Sequence, residues 1–162
     1  IMTKQLKELL LRQMDESVRP WIGLRENAPP RGGWVKSIRQ ALGMSAAQLG
    51  NRMGLSRQGV ADLERREAEQ AVTLAVLENA ARAMNAKLVY AIVPRESLEE
   101  TVRAQARAVA DKQLRRVAHT MRLEAQDVSS EEYANQLAES TATLLANWSR
   151  YIWDEEDSSL RK

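Results

Sequence analysis

The sequence predicts an all-α fold class relieved by one short strand, and three observations carry that prediction. Apolar residues recur at three- and four-residue steps through most of the chain, which is the spacing of one helix face. Phe is absent and aromatics make up 4%, so a core must be assembled from Leu, Val, Ala, Met and Ile, side chains that interdigitate between close helices. Only the run Leu88 to Val93 combines β-branched and aromatic residues without helical spacing, and Pro94 closes it.

The elements follow in order. Thr3 to about Ser17 reads as a helix, with Leu6, Leu9, Leu10, Met14 and Val18 on one stripe that Trp21, Ile22 and Leu24 extend. Glu26 to Gly33, with Pro29-Pro30 and Gly32-Gly33, is a linker. Trp34 to Leu42 repeats Val35, Ile38 and Leu42 on one face. Ser45, Ser56 and Thr73 each stand where a hydroxyl can accept from the first free amides of a following helix. The first of these helices ends at Gly54 and the second near Glu67; the third carries Leu74, Leu77, Ala81 and Met84 inward. Two longer helices close the chain, Leu98 to about Gln126 (Leu98, Val102, Val109, Val117, Met121) and Glu131 to about Trp153 (Tyr133, Leu137, Leu144, Trp148, Ile152). The organisation expected is an N-terminal helix over 1–25, a domain over 34–94 and a C-terminal helical hairpin over 96–157 for dimerisation or partner binding.

Composition excludes several function classes. The 162 residues contain no Cys, so disulfides, thiolate metal sites and cysteine nucleophiles are ruled out. The sole histidine, His119, has no partner at metal-ligand spacing, and neither a phosphate-cradling glycine loop nor His-Glu-x-x-His occurs, so no metal, cofactor or catalysis is expected. The longest apolar run falls far short of the roughly 20 residues that span a bilayer, and Lys4, Lys7 and Glu8 interrupt any signal-like stretch; a cytoplasmic protein without membrane partners is expected. The formal charge is +2, but it is unevenly spread. From Arg31 to Arg66 seven bases face two acids, a net +5, whereas Glu96 to Lys162 carries nine bases and thirteen acids, a net −4. The basic segment is suited to a polyanion and the acidic one to water or protein.

Met44 to Glu64, MSAAQLGNRMGLSRQGVADLE, is the most constrained stretch. Two helices that cross steeply need a small residue at their contact, a glycine able to take positive φ in the turn, and buried aliphatics on the second helix. Gly50, Gly54, and Val60 with Leu63 supply these, and Leu49, Met53 and Leu55 close the same core. With the preceding WVKSIRQALGMS, this segment resembles the lambda-repressor-like, Xre-type helix-turn-helix family from Trp34 to about Val93. The resemblance implies a recognition helix whose Arg57, Gln58 and Asp62 meet base edges in the major groove: Arg pairs with guanine, Gln with adenine, and Asp accepts from the cytosine amino group. It implies phosphate contacts from the Ser45–Ala46 backbone, Ser56, and Arg65 or Arg66, and a structural ion pair between Arg39 and Glu64. Ala46 departs from a pattern in which many relatives carry a phosphate-binding Gln. Gly59 inside a helix costs about 1 kcal/mol relative to Ala, which points to close backbone approach.

The whole chain resembles the mobile mystery protein A family. That resemblance implies a transcriptional repressor of its own operon, encoded beside a Fic-domain protein, or alternatively an antitoxin that neutralises the Fic-type toxin and binds DNA secondarily. The nearest string to a Fic-inhibitory motif, Thr120-Met-Arg-Leu-Glu124-Ala125, departs from it at the last position. The partners expected are therefore double-stranded DNA bearing an inverted-repeat operator, a second copy of the chain, and a Fic-domain protein. The isolated strand Leu88, Val89, Tyr90, Ala91, Ile92, Val93 has no pairing partner in its own chain, so it is expected to pair with its copy across a two-fold axis.

Overall fold

The structure, a computed structural model, describes residues 3–123, 129–147 and 150–154. Glu124 and Ala125, the residues to Gln126 expected at the end of the first long helix, and Trp148 lie outside the described residues. Seven α-helices run in order: α1 Lys4–Val18, α2 Trp34–Ala41, α3 Ala46–Met53, α4 Arg57–Ala68, α5 Leu74–Ala83, α6 Leu98–Leu123 and α7 Ser130–Asn147, with 3-10 turns at Arg19–Leu24 and Arg150–Trp153. They form two compact units, Gly23–Ile92 in one, and the chain up to Ile22 together with that from Val93 in the other.

In the first unit, hydroxyl caps set the helix starts. Ser45 accepts from Gln48 N while the Gln48 side chain accepts from Ser45 N, a reciprocal capping box; Ser56 accepts from Gly59 N and Thr73 from Val76 N. Val35, Leu49, Val60, Leu63, Ala80 and Met84 form the buried core. The inward face of α5 is therefore Ala80 and Met84 with Leu77 half-buried, whereas Leu74, expected inside, is 47% exposed.

α2 begins at Gly33, which has no side chain with which to cap it. Glu67, near the end of α4, does so from a distance: its two carboxylate oxygens accept from Trp34 N at 2.7 Å and Val35 N at 3.0 Å. The positive end of the α2 dipole thus meets a fixed carboxylate. Glu67→Ala is expected to cost about 1–2 kcal/mol and to speed amide exchange at Trp34 and Val35, with Glu67→Gln intermediate. Unchanged exchange in the alanine variant would show that the cap is not formed in solution.

Residues 88–93 are a correction. Leu88, Val89, Tyr90, Ala91, Ile92 and Val93 form no strand, and no strand occurs among the described residues. The physical reason is that β-propensity states a preference, whereas a strand exists only through ladder hydrogen bonds, and one chain offers this segment no partner edge.

In the second unit, α6 and α7 run antiparallel: Tyr133 at the start of α7 donates to Asp111, while Ile152, in the 3-10 turn that follows α7, accepts from Gln105. Val102, Ala106 and Ala110, spaced by four, are buried along one face of α6. Hydrogen bonds from Arg115 and then Tyr133 hold the Asp111 carboxyl below the usual carboxylate range, and burial followed by the Asp111 bond pushes the Tyr133 phenol up. Asp15 of α1 accepts from Leu98 N at 2.8 Å, fixing α1 to the start of α6. The face of α1 turned inward carries Leu11, Asp15 and Val18, all half-buried; the expected stripe Leu6, Leu9, Leu10 and Met14 is 40–50% exposed instead. Periodicity identifies an apolar stripe but not what covers it.

Candidate nucleic-acid interface

The α3–turn–α4 substructure is dictated by two glycines. A Cβ on Gly50 would lie 2.5 Å from the Leu55 carbonyl oxygen, so only glycine lets α3 meet the chain entering α4. Gly54 ends α3 at φ +70°, a left-handed conformation that β-carbons disfavour, and Leu55 N donates back to the Gly50 carbonyl at 2.8 Å.

α4 is held against α2 at both ends of α2 by two carboxylates one turn apart. Glu67 caps the start, as above. Near the other end Glu64 takes a bidentate pair from Arg39, Nε to Oε1 at 2.6 Å and a second guanidinium nitrogen to Oε2 at 3.1 Å, with side-chain exposures of 12% and 9%. Arg39 also donates to the Met44 carbonyl at 2.8 Å, tying down the loop before α3. Hydrogen bonding to Glu64 pushes the Arg39 pKa further up, so this cation stays charged and committed.

The opposite face of α4 is open. Arg57, Gln58, Ala61, Asp62 and Arg65 are exposed at helical spacing, while Val60, Leu63 and Glu64 point inward. The side chains of Arg57 and Gln58 bond no described residue and are free to reach a ligand. Asp62 lies 3.6 Å from Arg65, which also pairs with Glu69 at 3.1 Å, and Arg66 donates to the Ala71 carbonyl at 3.3 Å. Those two arginines are exposed yet locally engaged, so a phosphate would compete with Glu69 for Arg65 and with the Ala71 carbonyl for Arg66. Ser45 is exposed at the start of α3, but its backbone N–H is already given to Gln48 at 2.7 Å; Ala46, half-buried against the core, keeps its amide at the helix start. Ser56 accepts from Gly59 and retains its own hydroxyl proton for donation.

Of the seven bases between Arg31 and Arg66, Arg31, Lys36, Arg52, Arg57 and Arg66 form no ion pair among the described residues. Two features escaped the sequence reading. Ala61 presents only a methyl group in the middle of the exposed α4 face, room for a base edge or a thymine methyl; its helical spacing from Arg57 and Gln58 was the available signal. Glu67 had no local signal, because a cap reaching across more than thirty residues is visible only once both helices are placed.

Among the described residues no group of three His, Cys, Asp or Glu is placed to hold a metal ion, and no helix is long and apolar enough to cross a membrane. Residues 35–90 match a helix-turn-helix family model. No curated protein and no solved structure matches the chain.

Proposed function

We propose that this chain, which carries a helix-turn-helix domain over residues 35–90, is a sequence-specific repressor that binds an inverted-repeat operator in double-stranded DNA as a homodimer. The observation that carries this reading is the open face of α4, where unengaged Arg57 and Gln58 stand beside Ala61 and Asp62 on a helix fixed from behind by Glu64 and Glu67. In that role Arg57, Gln58 and Asp62 read base edges, while Ser56, Ala46, Ser45 and the surrounding cations position the phosphates. The protein catalyses nothing and needs no cofactor, and its place of action is the cytoplasm. The whole-chain resemblance adds an operon shared with a Fic-domain partner. A second reading, an antitoxin that neutralises that partner with DNA binding secondary, is favoured by the exposed stripe Leu6, Leu9, Leu10 and Met14 on α1, which exceeds what a minimal DNA reader needs.

Gly59 provides the test. A Cβ there would meet only Ser56 Oγ at 3.4 Å and Leu55 Cβ at 3.5 Å, ordinary contacts, so nothing in the chain itself requires glycine. Gly59→Ala is expected to keep or raise thermal stability, by up to about 1 kcal/mol, while specific DNA affinity falls about tenfold or more, because the added methyl obstructs backbone approach to the duplex. A variant that is stabilised and binds its operator normally would contradict this placement of the DNA.

A further inference from the structure

Beside the helix-turn-helix core lies an apolar cavity of about 350 Å3, walled by Trp34, Ile38, Leu77 and Met84 and bordered by Leu88 and Val89. Two charged residues lie at its edge: Glu67 already holds the Trp34 and Val35 amides with both oxygens, and Lys87 is exposed to solvent, so the rest of the lining, with Trp34, Val35, Ile38, Leu77, Ala81 and Met84, is apolar. The cavity calls for an apolar filler. The segment along its border has the opposite deficit. Val89, Tyr90 and Ile92 are 60%, 67% and 90% exposed, and residues 88–93 make no hydrogen bond to any described residue. Three large apolar side chains and a row of backbone donors and acceptors stand uncovered next to a hollow that lacks side chains.

A second copy of the chain satisfies both needs at once. In an antiparallel pair, a two-fold axis perpendicular to the strands passes between directly opposed residues, so the central residue faces its own copy. Leu88 is half-buried and Val89 exposed, both at the cavity's border, so once the segment is paired as a strand, alternation would set 88, 90 and 92 on the more buried, cavity side. An axis at Tyr90 sets Ile92 of one copy opposite Leu88 of the other, on that same side. We propose that the chain dimerises by antiparallel pairing of residues 88–93 about Tyr90, with Ile92 of each copy seated over the Trp34–Ile38–Leu77–Met84 cavity of the other. This gives the homodimer of the proposed function its surface and register, and it rests on that reading only in requiring two copies.

The absence of Cys makes the register measurable. Directly opposed residues have Cα atoms about 4.5–5.5 Å apart, inside the roughly 4.4–6.8 Å range that a disulfide bridges. Full-length Tyr90→Cys is expected to convert almost completely to a disulfide-linked dimer under mild oxidation, whereas Val117→Cys, exposed on α6, remains uncrosslinked. Ile92→Arg, at a position too exposed to disturb the fold, is expected to sediment as a monomer with unchanged circular dichroism, and Ile92→Leu as a dimer. A wild-type chain that is monomeric at all accessible concentrations, or a dimer that survives Ile92→Arg and resists crosslinking at position 90, overturns the proposal. Specific DNA binding is read separately on the same samples: its persistence with this interface disproved removes the interface alone, and its absence in a crosslinked dimer removes the DNA-binding reading alone.

Discussion

Glu64→Ala is expected to destabilise the helix-turn-helix unit by about 3 kcal/mol or more. The cost comes less from losing an attraction than from what is left behind. Arg39 is only 12% exposed and cannot lose its proton, so without Glu64 its charge stays in a low-dielectric site with only the Met44 carbonyl for company. The loop between α2 and α3 then loosens together with the registry of α4 on α2. Glu64→Gln, which keeps one acceptor, should cost less, and replacing both partners by well-fitting apolar residues should recover much of the loss, because the desolvation of the pair offsets most of its Coulomb gain. Chemical denaturation of the four proteins checks this. An Arg39→Met/Glu64→Leu protein no more stable than Glu64→Ala would show that the pair contributes through geometry that apolar packing cannot replace.

Arg57→Ala is expected to have the largest effect on function, weakening specific DNA binding by about 1–3 kcal/mol in each half-site and relaxing preference at one base pair. No described residue competes for this guanidinium, so its removal should leave folding unchanged. Arg65→Ala provides the contrast. Arg65 is shared between Asp62 and Glu69, and a phosphate contact there would act on all sequences alike, its loss lowering the salt dependence by about one unit of slope. If Arg57→Ala instead weakened every duplex equally, Arg57 would belong with the phosphate contacts and base reading would have to start at Gln58.

How much of this was legible in the sequence depended on how local each constraint is. Gly50, Gly54, Ser45 and Ser56 act within a few residues of themselves, and the turn they specify is present with the spacing that the sequence implies. Arg39 and Glu64, separated by twenty-five positions, were paired only through resemblance to a known family, because no periodicity connects them. Glu67 was missed for the same reason. The stripe on α1 was visible as Leu6, Leu9, Leu10 and Met14, yet the helix turns Leu11, Asp15 and Val18 inward; Asp15 capping α6 is a polar contact that outweighs apolar periodicity in setting the orientation. Residues 88–93 have the composition of a strand, but a single segment forms no ladder without a partner edge, and the described residues offer none.

If the open face of α4 reads base edges, the protein prefers one duplex sequence over others. Selection from a pool of random-sequence double-stranded DNA with the full-length protein, at physiological salt, tests it most directly. The expected result is enrichment of an inverted repeat whose half-sites lie about one helical turn, roughly 10–10.5 base pairs, centre to centre, with Arg57→Ala losing the preference at one position in each half. A pool that stays random through successive rounds, with binding that only follows salt, would contradict it.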